Sequence, residues 1–511
     1  MMKCTTKVAK VGLTTIPLTL LITGAIDSIR NLPTTALFGP ALIFFCIFAA
    51  IVFLIPAALV SAELSASSSS QKNGIYYWIS STLGPSAGML AAWLQWINTL
   101  VWFPTILSFL VGTATYVINP DLAQNKLFLI TTILTCFWLL TFINLKGFHT
   151  SALFANLCTC IGMILPFALI IVLAIAWVIL GKPLHVQFTT ETILPNLAHF
   201  DHWISLTAII ASFLGIELAT VHVQEVNRPQ KTFPKALGLS VFCIVFPMIL
   251  GSLAIAMVLP KNQINLVAGV MQAFTNFFSA YHLTYLIPVV TIMILIGSAG
   301  GMTSWVISPA KSLLQAADDG YFPRFLTKLN QHQVASRLLI TQGIIVSLIC
   351  LSFLLMPSVN GSYWLLTALS TQLYVLMYVI MFVAALVFKF KNKGKGQGKS
   401  KSVDMMGMGM GMGASTGYSS SLSSASVNQV IPGGKIGFLV ICALGLIGCS
   451  ITLLIGFIPP EGINIGSTWH YEIVFCSGLL AMISPVALLY WHKKQKIQTL
   501  IPGTLVMEHA G

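Results

Sequence analysis

About twelve long apolar runs, separated by short polar tracts, dictate what this chain can become. A helix needs about 20 apolar residues to cross the hydrocarbon core of a bilayer. Scanning at that length marks segments at roughly 12–37, 40–62, 85–118, 127–145, 150–180, 203–223, 235–259, 283–316, 336–356, 363–388, 436–458 and 471–491. In lipid every backbone N–H and C=O must be satisfied within the protein, so runs of this length select helices. The fold class expected is an all-α integral membrane protein with about 12 transmembrane helices. Charged residues are 8% of the 511, whereas a soluble domain carries about 25%. No water-facing surface can be built from so few. A secreted disulfide scaffold, a nucleic-acid binder and a cytosolic enzyme are all disfavoured. The ten cysteines lie mostly inside apolar runs and read as small buried hydrophobes.

The net charge of +13 sits in tracts between the runs, which is a membrane topology signal rather than a nucleic-acid one. With a cytoplasmic N-terminus, nearly all lysines and arginines fall inside, and Lys126, Lys182 and Lys261 fall outside. An even number of spans puts both termini in the cytoplasm. The basic start MMKCTTKVAK is followed by a long apolar run with no A-x-A-like site, so it reads as a first transmembrane helix rather than a cleaved signal. The expected organisation is a cytoplasmic N-terminus (1–11), a transport core of ten helices (12–389), a basic, Met-Gly- and Ser-rich cytoplasmic loop (390–434), two more helices (435–491) and a cytoplasmic tail (492–511). The loop cannot bury enough apolar area to offset its ordering entropy and is expected to be disordered.

Two runs are interrupted. TGAIDSIRNLP (Thr23–Pro33) places Gly24, Ala25, Asp27, Arg30 and Pro33 in the first span, and SFLGIELATVHVQEVNRP (Ser212–Pro229) places Phe213, Gly215 and Glu217 in the sixth. These are corresponding positions in a five-plus-five inverted repeat, and paired broken helices of this kind point to a transporter's central site. Free N–H groups at a half-helix N-terminus attract a carboxylate, while freed carbonyls and Glu217 suit an ammonium or a proton. A zwitterionic amino acid presents both demands.

Each residue has a second reading. Asp27 and Arg30, three apart, fit a local ion pair as well as a contact with substrate or gate. Glu217 is costly if ionised and unpaired in lipid, so it faces the bundle interior, for transport or for a structural hydrogen bond. Glu225 and Arg228 suit an interfacial pair or an intracellular gate. Tyr374 and Tyr378 share one helical face and serve packing or the substrate route, as does Trp305 after SAGGMTS. His185, His199 and His202 with Glu191 and Asp201 fall in one outer loop, as a solvated surface, a pH-responsive cluster or a loose metal site. No nucleophile motif, Walker loop, dinucleotide fingerprint or zinc spacing is present, so no cofactor, no metal and no enzymatic activity are expected.

Several blocks in combination carry a family resemblance: PAALVSAELS (Pro56–Ser65), WISSTLGP (Trp78–Pro85), SFLGIELATVHVQEVNRPQKTFPKAL (Ser212–Leu237), SLAIAMVLPKNQINLVAGVMQAF (Ser252–Phe274), SWVISPAKSLLQAADDGYFP (Ser304–Pro323) and IPGGKIG (Ile431–Gly437). The chain resembles the amino acid–polyamine–organocation transporters, and within them the bacterial glutamate/γ-aminobutyrate antiporters. The resemblance implies twelve helices, a ten-helix inverted-repeat core like that of the leucine transporter, and amino-acid exchange across a bacterial inner membrane by alternating access. It implies substrate contact at Gly24–Arg30, Phe213–Glu217, Gly301–Trp305, Tyr374 and Tyr378. Three departures matter. Arg30 stands where the exchangers have a tyrosine, Gly301 stands where they have an acid, and too little chain follows the last span for their C-terminal plug. The expected function is a secondary amino-acid transporter, an antiporter first. A proton-coupled symporter and a nutrient sensor acting through the cytoplasmic loop are the alternatives. The partners expected are a small amino acid and the lipid bilayer, with no nucleic acid.

Overall fold

The computed structural model describes residues 14–26, 28–68, 73–146, 160–197, 200–220, 226, 229–322, 324–332, 334–391 and 430–500, and they form an all-helical protein. The first expected span is divided. Helix α1 (Thr15–Ile26) stops, Ser28 is extended (φ −152°, ψ 119°), and a single 3₁₀ turn at Ile29–Asn31 leads into α2 (Leu32–Ala36), with Pro33 in its first turn. Helix α3 (Gly39–Ser67) follows, with a π turn at Ala50–Leu54. Next come the short α4 (Ile75–Leu83) and the long α5 (Pro85–Ile118). Helices α6 (Lys126–Leu145) and α7 (Ile161–Ile179) come next.

The sixth expected span is divided too, into α8 (Ser205–Phe213) and α9 (Ile216–Thr220). The chain continues through α10 (Pro229–Val258), α11 (Gly269–Ala280), α12 (Ile287–Gln315), α13 (Ser336–Cys350) and α14 (Val359–Lys391). Helices α15 (Gly434–Ile455), α16 (Thr468–Ile483) and α17 (Pro485–Leu500) close the chain. Among the described residues, nine helices are long and apolar enough to cross a membrane. The two divided segments fall short because neither half alone spans a bilayer, and the eighth expected span enters only as the shorter apolar stretch Thr284–Ser298. Helix α14 runs to Lys391, beyond the expected end of the core, and α17 runs to Leu500. Most of the loop expected to be disordered, and Glu225 and Arg228, expected as an interfacial pair or gate, lie outside the described residues.

Helix α5 is the central post, packing against α4, α6, α12, α13 and α14. α1 lies against α9 and α10, α8 against α3 and α14, and α9 against the second half of α3. Helices meet without a hydrophobic driving force in lipid, so close backbone approach carries much of their association. At the α7–α12 crossing, a Cβ on Gly162 would stand 2.1 Å from the Gly297 Cα. Gly162→Ala must therefore push two backbones apart. We expect it to destabilise the fold by about 1–3 kcal/mol, measured as a lower melting temperature of the detergent-solubilised protein.

At the end of the bundle that holds the C-terminus of α14, Glu63 of α3 is only 2% exposed. It accepts from the backbone N–H of Val430 at 2.6 Å and of Ile431 at 3.2 Å, and pairs with Lys389 Nζ at 3.3 Å. The same ammonium lies 4.9 Å from the ring centroid of Phe438. One carboxylate thus ties α3, the end of α14 and the approach to α15 together.

Candidate functional site

Helix α8 ends where Leu214 turns extended (φ −66°, ψ 145°) and Gly215 takes φ +100°. A side chain at Gly215 would oppose that conformation. The turn re-aims the chain, and Glu217, in the first turn of α9, faces α5 and α14. Its residue is 1% exposed. Gln95 Nε2 of α5 donates to Glu217 Oε1 at 2.8 Å. The Tyr374 hydroxyl donates to the same oxygen and the Tyr378 hydroxyl to Oε2. The freed amide of Gly215 donates to the Tyr378 hydroxyl at 3.2 Å. The two tyrosine rings meet edge-on at 5.5 Å, and Phe53, from the π turn of α3, packs edge-on against Tyr378 at 5.0 Å.

Among the described residues no cation pairs with Glu217; the ion pair found there is Lys389 with Glu63. Neutral donors hold the carboxylate. Hydrogen bonds to a charged group contribute about 1.5–3 kcal/mol each, so the cluster fastens the broken helix to both α5 and α14.

The polar cluster continues along the α5–α14 seam. Ser370 donates to Asn98 Oδ1. Farther along, Arg30 Nη1 donates to Thr105 Oγ1 at 2.9 Å and to the Tyr363 hydroxyl at 3.5 Å, and the guanidinium lies 5.3 Å from the Trp102 ring centroid. Arg30 is 8% exposed, and its Nε has no hydrogen-bond partner.

Of the residues expected from sequence, Gly215, Glu217, Tyr374 and Tyr378 come together in one cluster. Phe213 is buried at the end of α8. Gly24 and Ala25 lie in the last turns of α1. Trp305 lies within α12, its side chain outside the described residues, and Asp27 lies outside them altogether. Arg30 bonds to other residues of the same two helices, Thr105 of α5 and Tyr363 of α14. Sequence reasoning missed Gln95, Asn98, Thr105, Tyr363 and Ser370. Their signal was present: Gln95, Asn98, Trp102 and Thr105 recur at helical spacing within an apolar run. A polar stripe inside a membrane helix faces a partner or a cavity. Of the outer histidine set, His185, Glu191 and His202 line a cavity of about 450 Å³ with Lys261 and Glu461; His199 lies outside the described residues.

A helical bundle with two interrupted apolar segments and a buried acid at one of the interruptions fits a polytopic membrane protein. Residues 13–480 match the amino acid permease family model, and the chain belongs to that family, within the amino acid–polyamine–organocation transporters. It is 35% identical over 459 residues to an uncharacterized transporter of Legionella pneumophila, covering 90% of this chain and 92% of the relative. It is 29% identical over 479 residues to a glutamate/gamma-aminobutyrate antiporter of Lactococcus lactis subsp. cremoris, covering 93% and 89%. It is 23% identical over 318 residues to an aspartate/glutamate permease of the same organism, covering 59% and 63%. These named relatives carry solutes and are not described as enzymes.

Proposed function

We propose that this protein is an amino-acid antiporter working by alternating access across a bacterial inner membrane. Twelve spans, the first ten in a five-plus-five inverted repeat, and cytoplasmic termini fit the distribution of lysine and arginine. The observation that carries the reading is the break at Leu214–Gly215 beside the buried, hydrogen-bonded Glu217. Broken membrane helices expose amides and carbonyls at mid-depth, where they suit the two ends of a zwitterion. The substrate's carboxylate docks on amides freed at the first break, beside Gly24, Ala25 and Asp27. Its ammonium meets carbonyls of the breaks and Glu217. Tyr374, Tyr378 and Trp305 wall the route, Phe213 backs it, and Glu225 with Arg228 form the inner gate. The guanidinium of Arg30 favours a substrate with an acidic or polar side chain.

Counterflow tests this. Proteoliposomes loaded with unlabelled glutamate or γ-aminobutyrate are expected to accumulate the labelled amino acid, and unloaded vesicles are not. Uptake into unloaded vesicles that appears only with an imposed proton gradient would replace exchange by proton symport. No uptake of any amino acid under either condition would end the transport reading.

A further inference from the structure

The cavity of about 450 Å³ shares no lining residue with the Glu217 cluster: Gln95, Gly215, Glu217, Tyr374 and Tyr378 are all absent from its wall. Helix α3 begins in that wall at Gly39, and Glu63 stands near its other end, about 36 Å of axial rise further on. The cavity therefore lies at the end of the bundle opposite the Glu63 junction. Its floor is apolar: Ala36, Leu37, Leu259 and Ile264 line it and are buried. Its rim is charged: Glu191, Lys261 and Glu461 line it as exposed residues, with His185 and His202 beside them.

Each charge is carried by a locally fixed turn. Glu191 stands in a single helical turn (Thr190–Ile193) closed by a capping box: the Thr192 amide donates to Thr189 Oγ1 at 3.3 Å, and the Thr189 amide to Thr192 Oγ1 at 3.0 Å. Lys261 opens a 3₁₀ turn (Lys261–Gln263) whose last carbonyl accepts from Gln272 Nε2 at 2.9 Å. Glu461 precedes Gly462, which takes φ +88°. Opposite charges on one rim would ordinarily close onto each other, and here none does. Among the described residues, no ion pair or hydrogen bond engages the side chains of Glu191, Lys261 or Glu461. Nor, among the described residues, do three histidine, cysteine or acidic side chains gather closely enough to hold a metal ion. A gap held open between fixed charges of both signs suits a ligand that brings both charges with it, because little ordering is left to be done on binding.

We propose that this cavity is a second binding site, separate from the broken helices, for a small amphipathic zwitterion. The ligand's carboxylate turns to Lys261, its ammonium to Glu191 and Glu461, and its apolar body rests on Leu37, Leu259 and Ile264. Pockets of about 300–1,000 Å³ hold compact organic ligands on mostly apolar walls with a few polar groups to orient them, and this cavity has room for an aromatic amino acid. The site is defined by binding alone and stands whether or not the protein exchanges amino acids.

The test is the thermal melting of the full-length protein in detergent at neutral pH, since a ligand bound to the folded state raises the melting point by mass action. Three probes are compared: L-phenylalanine, N-acetyl-L-phenylalanine, which lacks the ammonium, and L-phenylalaninamide, which lacks the carboxylate. Phenylalanine is expected to raise the melting point of the wild type, and each derivative to raise it less. Contacts between exposed charges are individually modest, so Lys261→Gln should weaken half-saturation by phenylalanine about threefold while leaving phenylalaninamide as it was. The double variant Glu191→Gln with Glu461→Gln should weaken phenylalanine by a similar factor or more and leave N-acetylphenylalanine as it was. All three side chains are exposed, so these variants are expected to fold. Wild type that does not respond to phenylalanine, or responds equally to all three probes, would overturn the proposal. So would Lys261→Gln and double variants that respond to phenylalanine as wild type does, because the amino acid would then be bound elsewhere and the rim would be a solvated surface.

Discussion

Glu217→Gln is expected to cut amino-acid exchange by about 10- to 100-fold while leaving the protein folded. The carboxylate accepts from Gln95, Tyr374 and Tyr378, and Tyr378 in turn accepts from the Gly215 amide. Glutamine keeps the shape but turns one acceptor into a donor. Facing Gln95, the new amide opposes another amide. Facing Tyr378, it forces that hydroxyl to give up its own donation. Losing a charge-assisted bond costs about 1.5–3 kcal/mol, and each 1.4 kcal/mol is tenfold in rate or affinity. Initial exchange rates in proteoliposomes, normalised to protein incorporated, measure the effect. Tyr378→Phe is the informative neighbour. It retains the ring against Phe53 and frees the Gly215 amide, so a folded variant with impaired exchange separates the hydroxyl's role from packing. Wild-type exchange by Glu217→Gln would reduce the carboxylate to a strut.

Glu63→Ala is expected to cause a large loss of stability. Three donors share that one carboxylate. Removing it leaves a half-buried ammonium without its counter-ion and two buried amides without an acceptor. Breaking a buried pair by deleting one partner costs about 3–5 kcal/mol. The melting temperature should fall further than in Gly162→Ala. Glu63→Gln should fall less, because one carbonyl oxygen remains to accept from Val430 or Ile431. Equal melting of Glu63→Ala and wild type would show that the junction contributes nothing.

The bundle was legible in the sequence because its elements are set by local composition. Apolar runs of bilayer length and a polar, glycine-containing interruption such as LGIE are visible without neighbours. Tyr374 and Tyr378 could be paired because four residues bring side chains onto one helical face. What remained hidden depends on how helices stand against each other. Nothing in AAWLQWINTL says that Gln95 meets Glu217, a residue 122 positions away. Nothing in TGAIDSIRNLP gives the level at which Arg30 enters the α5–α14 seam. Its bonds to Thr105 and Tyr363 depend on the registers of those two long helices. Glu63 appeared only within a block resembling a known family, and its partners lie 326 to 368 residues downstream.

The junction at Glu63 has a practical corollary. Lys389 and Val430 are fixed to opposite oxygens of one carboxylate, so the polypeptide leaves and re-enters the bundle through a single port. The entropy of closing a loop between such neighbours grows only slowly with its length. A fluorescent protein or an affinity handle spliced between Lys391 and Val430 would travel as cargo on this port, reporting on the carrier without entering its moving parts.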